Sequence, residues 1–176
     1  NKKYMKPMTR NNFAKNKIVV DRANSSFKNN KFSYVFFRTM NFERSSVSYL
    51  EFILRKVLSS KKFINFLNKS LGMELTKLTE MFVSCYKSGH FLAPHCDIKN
   101  GSIAVTIYMT KDWKPEYGGL LNFLSIDRKN IIKSTVPTFN TMAIFEISPD
   151  IGRPHFVSHI SPNLTKNRYT ITMWYA

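Results

Sequence analysis

The sequence predicts an α+β domain with a mainly β core and helices gathered ahead of it. Three observations predict this. Apolar residues recur at helical spacing between residues 46 and 71. From Leu75 onward, short β-branched and aromatic segments follow one another. Turn-forming runs separate those segments. The 176 residues suit one domain, and 43% hydrophobic content with 15 Phe, 8 Tyr and 2 Trp excludes a disordered chain.

In chain order, residues 1–30 are polar and basic without sustained periodicity, and read as an arm or irregular lead-in. Ile18-Val19-Val20 offers a first short strand there. Residues 32–42 (KFSYVFFRTMN) suit a strand, being aromatic and β-branched. Leu50, Ile53, Leu54, Val57 and Leu58 then fall on one helix face, with Ser45, Ser46 or Ser48 available as N-cap. A second helical stretch after Ser59-Ser60 carries Phe63, Phe66 and Leu67, and Gly72 is its C-cap. Strands are expected at 81–86, 102–110, 119–124, 141–147, 155–160 and 168–175. Turns are expected at 87–89, 99–101, 114–119, 148–154 and 161–167. Many short strands at close spacing indicate a sandwich or barrel. Residues 31–176 are expected to form one domain, with helices over about 46–71 and the β core over about 78–176.

The net charge is +16, from 27 basic and 11 acidic residues. Such a charge first points to nucleic acid or a membrane surface. Its distribution argues otherwise. Residues 1–32 hold nine basic residues and one acid, which is half of the excess. The charge therefore reads as a property of the arm and of a Lys-rich composition, suited to an acidic protein partner. Any nucleic-acid contact is assigned to that arm. No apolar run reaches 18 residues, so no membrane-spanning segment is expected. Cys85 and Cys96 are too few for a disulfide framework and are read as free thiols, which places the chain in a reducing, cytoplasmic setting. The chain begins with Asn1 and is read as a segment whose terminus can be incomplete.

All four histidines lie between residues 90 and 159. His95-Cys96-Asp97 is an H-x-D triplet, and on an extended segment residues i and i+2 point the same way. A further histidine about 60 residues later would complete two imidazoles and one carboxylate, a set that suits non-haem Fe(II). Arg168 opens the last strand and can form a bidentate pair with a dicarboxylate.

In these segments the chain resembles the Fe(II)/2-oxoglutarate-dependent dioxygenases, in their prolyl-4-hydroxylase-like branch and nearest to the oxygen-sensing type of protein prolyl hydroxylase. The resemblance runs from about Leu78 to Tyr175. It rests on VSCYKSGHFLAPHCD (83–97), VTIYMTKDWKPEYGGLLNF (105–123), AIFEISPDIGRPHFV (143–157) and NRYTITMWY (167–175). It implies a double-stranded β-helix, or jelly roll, supported by N-terminal helices. His95, Asp97 and His155 would be the iron ligands. Arg168, with Tyr108, would hold the far carboxylate of 2-oxoglutarate, and Thr172 would face the same cavity. Tyr86 would lie near the iron, and Trp174 on the substrate side. Gly118-Gly119 would make a turn where only small residues pass.

His159 has the Arg spacing of the distal ligand in the family, whereas His155 has its flanking Pro154 and Val157, and His155 is favoured. His90 is read as a loop residue and Cys96 as a small filler pointing away from the metal.

The implied reaction consumes Fe(II)-bound 2-oxoglutarate and O2, with ascorbate as reductant. It releases succinate and CO2 and hydroxylates a C–H bond. A prolyl residue in a protein or peptide is the expected substrate. A free amino acid or another protein side chain is the alternative. A nucleic-acid-associated dioxygenase and an inactive jelly-roll binding module are more distant readings. Trp174 and Thr170 stand where repair demethylases of the AlkB type carry Arg and Asn, which argues against nucleic acid.

Overall fold

A computed structural model describes residues 13–39, 49–97, 100–147 and 153–176. The candidate caps Ser45, Ser46 and Ser48, together with parts of the expected arm and of the turns at 99 and 148–152, lie outside these residues.

Three helices precede most of the sheet: α1 (Phe13–Lys28), α2 (Tyr49–Leu58) and α3 (Lys61–Leu71). The caps of α3 form as its sequence requires. The Ser60 hydroxyl accepts the Phe63 N–H at 3.2 Å. Gly72 takes φ 65° and donates its N–H to the Asn68 carbonyl, closing the last turn. Ten strands follow the chain as β1 (Tyr34–Val35), β2 (Phe37–Arg38), β3 (Leu78–Tyr86), β4 (Phe91–His95), β5 (Ile103–Tyr108), β6 (Leu121–Leu124), β7 (Ile131–Thr135), β8 (Met142–Glu146), β9 (His155–Val157) and β10 (Arg168–Tyr175).

The strands form two five-stranded antiparallel sheets, ordered β1-β4-β9-β6-β7 and β2-β3-β10-β5-β8. Two such sheets face to face are the jelly-roll arrangement the sequence led us to expect. Strand periodicity sorts the second sheet into two faces. Phe82, Ser84 and Tyr86 of β3, with Arg168, Thr170, Thr172 and Trp174 of β10, line a cavity between the sheets. The alternating Met81, Ile171, Met173 and Tyr175 are buried against Leu58, Ile64 and Leu67 of α2 and α3. α2 and α3 therefore cover that sheet's back and leave its front to the site.

Four expectations change. Ile18-Val19-Val20 is helical, not a strand, and residues 13–28 are not irregular. Val19, Val20 and Ala23 pack on Val35, Phe91 and Ala93, so tertiary contact overrides the β preference of the Ile-Val-Val run. Residues 34–38 are two short strands joined to different sheets, not one strand. Strands β4 and β7 had no counterpart in the expected set. The strand expected at 155–160 ends at Val157.

Candidate active site

β4 and β9 are antiparallel neighbours, and His95 is directly opposite His155. Their rings lie 4.3 Å apart, centroid to centroid. Asp97, two residues past the end of β4, returns between them. Its Oδ1 is 3.3 Å from His95 Nε2 and its Oδ2 is 3.6 Å from His155 Nε2. One ligand atom from each residue lies within 4.8 Å of the others, and this is a group able to hold a metal ion.

The backbone sets which ring nitrogen faces the centre. His95 Nδ1 is 3.0 Å from the Ala93 carbonyl, and His155 Nδ1 is 2.8 Å from the Arg153 carbonyl. A carbonyl only accepts, so each ring donates through Nδ1 and turns its Nε2 inward, toward Asp97. His155 is kept neutral, its pKa pushed down to about 4 by burial and the nearby His95. Burial alone would raise the Asp97 carboxyl, but a hydrogen bond from His95, the positive charge the two imidazoles carry when protonated, and the Trp174 indole N–H outweigh it and hold it below the ordinary range. Trp174 Nε1 donates to Asp97 Oδ2 at 3.0 Å.

On the opposite sheet, Arg168 is 2% exposed. Its guanidinium lies 5.0 Å from the Tyr86 ring and 5.4 Å from the Tyr108 ring. Among the described residues no carboxylate pairs with it, and its Nε and the Tyr108 hydroxyl are buried without a hydrogen-bond partner. A buried cation in that state calls for an anion from outside the chain. Burial pushes both phenols up, so Tyr86 and Tyr108 remain protonated donors. Arg168 is placed by the turn at Gly118-Gly119. At Gly119 (φ 64°) a Cβ would collide with Ile160 Cδ1 and reach 2.9 Å from Arg168 Cδ, and at Gly118 (φ 70°) it would collide with the His159 carbonyl.

The remaining expected residues divide clearly. Tyr86, Thr172 and Trp174 line the same 260 Å³ cavity as His95, Asp97, His155 and Arg168. Tyr108 touches it through Arg168. His159 is elsewhere: its ring stacks on Phe91 at 4.1 Å, and its Nε2 donates to Asn24 of α1 at 3.1 Å. β9 stops at Val157, so His159 lies beyond the strand that carries His155. His90 is a loop residue but fully buried, tilted against Phe37. Cys96 is half-exposed rather than a buried filler, and Arg128 approaches its sulfur at 3.6 Å. Sequence reasoning passed over Ser84, Thr106 and Thr170, which also line the cavity. The period of two along β3, β5 and β10 was the available signal.

The sequence model of the 2OG-Fe(II) oxygenase superfamily matches residues 81–176. The chain belongs to that superfamily. It is 31% identical over 127 residues to prolyl 3-hydroxylase OGFOD1 of Mus musculus, and 32% identical over 133 residues to prolyl 3,4-dihydroxylase OGFOD1 of Ostreococcus tauri. Each match covers 69% of this chain but only 23% and 25% of the relative, so the chain spans about a quarter of their length. The fold matches a Pseudomonas putida prolyl-4-hydroxylase with TM-score 0.57 and 15% identity, over 91% of this chain and 84% of that one. It also matches a Trichoplax adhaerens prolyl hydroxylase in complex with a hypoxia inducible factor peptide fragment, with TM-score 0.55 and 18% identity, over 96% and 93%.

Proposed function

We propose that this oxygenase hydroxylates prolyl residues in a protein or peptide, using Fe(II), 2-oxoglutarate and O2, with ascorbate as reductant. One observation carries the reading. A buried guanidinium, unpaired with any carboxylate among the described residues, faces the same cavity as two imidazoles and a carboxylate. The donor set suits Fe(II), and the unpartnered Arg168 Nε and Tyr108 hydroxyl suit a dicarboxylate. Relatives named as prolyl hydroxylases support the substrate class.

His95, Asp97 and His155 would hold the metal at one wall of the cavity. Arg168 would form charge-assisted hydrogen bonds to the far carboxylate, and the Tyr108 hydroxyl would add another. Tyr86, stacked on Phe36 at 4.8 Å, keeps the guanidinium in place and water away from it. Trp174 holds Asp97 through Oδ2, while Oδ1 faces His95 Nε2. When bound, Fe(II) and 2-oxoglutarate supply the oxidation, in which O2 and 2-oxoglutarate yield succinate, CO2 and one hydroxyl on the substrate. The free thiols of Cys85 and Cys96 accord with a reducing, cytoplasmic setting.

The test incubates the protein with Fe(II), ascorbate, 2-oxoglutarate and proline-containing peptides. Expected are succinate release and a gain of one oxygen on proline, both lost in His95→Ala and His155→Ala and retained in His159→Phe. Succinate release with no oxygen on any prolyl residue would overturn the substrate. Absence of both would overturn the activity.

A further inference from the structure

A second cavity of 360 Å³ lies between α1 and β1, lined by Val19, Arg22, Ala23, Ser26, Lys31 and Phe32 among others. Phe32 and Tyr34 line both this groove and the cavity that holds His95, Asp97 and His155. The two spaces are therefore neighbours that share a pair of aromatic side chains. Phe32 is 60% exposed, yet its ring lies 5.7 Å from Tyr34 and 6.0 Å from His95. An exposed aromatic beside a candidate metal ligand is placed to touch whatever enters from outside.

The groove is built into the fold. The Ser33 hydroxyl donates to the Ala23 carbonyl at 3.0 Å and ties β1 to α1. At the far end, Phe27 of α1 packs on Phe91, and His159 bonds Asn24. Two basic side chains, Arg22 and Lys31, stand at the groove, and both are exposed. Its lining holds no acidic residue, and α1 carries one acid, Asp21, outside that lining. Neither Arg22 nor Lys31 has an ion pair among the described residues.

We propose that the α1–β1 groove binds the segment of the substrate polypeptide that flanks the target residue, and that Arg22 and Lys31 select acidic side chains in that segment. The proposal rests on the reading of the site as a hydroxylase of protein or peptide substrates. It assigns part of the chain's positive charge to substrate choice.

The test measures binding to protein loaded with Mn(II) and 2-oxoglutarate, so that affinity is read without turnover. Three short fluorescent peptides carry one central proline flanked by acidic, neutral or basic residues. The acidic peptide is expected to bind about tenfold tighter than the neutral one, the difference shrinking with added salt. The double variant Arg22→Glu/Lys31→Glu is expected to reverse the order of acidic and basic peptides. A control with the same charge change, Lys62→Glu/Lys69→Glu on α3, lies behind the second sheet and is expected to keep it.

Equal binding of the three peptides would overturn the proposal. So would an equal effect of the control variant, since bulk charge would then explain the preference. If an RNA oligonucleotide binds more tightly than the acidic peptide and loses affinity with the Arg22/Lys31 reversal, the groove belongs to nucleic acid and the proposal fails. If the order and its reversal hold but no peptide gains oxygen on proline under turnover with Fe(II), the groove stands and only the prolyl reading falls.

Discussion

The two faces of β10 differ by one residue step and obey opposite physics. On the back face, Ile171, Met173 and Tyr175 are almost wholly buried among apolar side chains, and the Tyr175 hydroxyl donates to the Leu58 carbonyl at 2.9 Å. Nothing there lacks a partner. On the front face, Arg168 and Trp174 are also buried but turned to a cavity, and Arg168 Nε has no hydrogen-bond partner among the described residues. The contrast separates burial that stabilises from burial that prepares a site. A buried polar atom without a partner costs about 1–3 kcal/mol, and a charged one more. A chain keeps such a group where a ligand completes it.

The comparison breaks most easily at Arg168. Arg168→Met removes the cation and keeps much of its volume. The affinity for 2-oxoglutarate is expected to fall at least about 100-fold, since removing one partner of a buried charge pair costs about 2–5 kcal/mol. The melting temperature should stay level or rise, because an uncompensated buried charge disappears. A calorimetric titration beside a thermal melt reads both. Unchanged cosubstrate affinity would show that the guanidinium serves the fold and not the site.

The opposite face should answer in the opposite way. Met173 has no exposed surface and packs among Leu67, Val105 and Met81. Met173→Ala is expected to cost about 2–5 kcal/mol of stability. Denaturant unfolding should show that loss, while the KM for 2-oxoglutarate in the folded fraction stays within error.

These two residues also show what the sequence could reveal. The spacing of His95 and Asp97 is local, and one extended segment was enough to aim both at one point. Arg168 stood out because a cation opened an otherwise uncharged strand. The sheet partners were not legible. That His95 faces His155, and Thr170 faces Ser84, depends on register across 60 and 86 residues, which no window along the chain contains. Residues 13–28 misled for a related reason. The Ile-Val-Val run has β preference, and its helix is decided by contacts with Val35 and Phe91 further along the chain. β7 escaped because Ile131 and Ile132 are both exposed, so no alternation of burial marks that edge strand.

Trp174 sharpens the comparison at smaller scale. It is an apolar ring by volume, but its indole N–H aligns Asp97. Trp174→Phe keeps most of the packing and removes the donor. Affinity for Mn(II) is expected to drop about 10–100-fold, as for other hydrogen bonds that orient a metal ligand. A drop in stability without a change in metal affinity would return Trp174 to the class of Met173.

The finest division runs through Thr170, which lies on the front face but is already satisfied within the chain. Its hydroxyl is hydrogen-bonded to that of Ser84 across the paired strands, and both are buried. If this pair behaves as the back face does, its energetics are internal. Thr170→Val and Ser84→Ala should each destabilise by about 1–2 kcal/mol, because each strands the other hydroxyl. The double variant should cost less than the sum, with a coupling near 1 kcal/mol, since no orphan hydroxyl remains. Additive losses would mean that each hydroxyl has its own partner in solution, a water or the cosubstrate. Thr170 would then belong with Arg168, as a group held ready for something outside the chain.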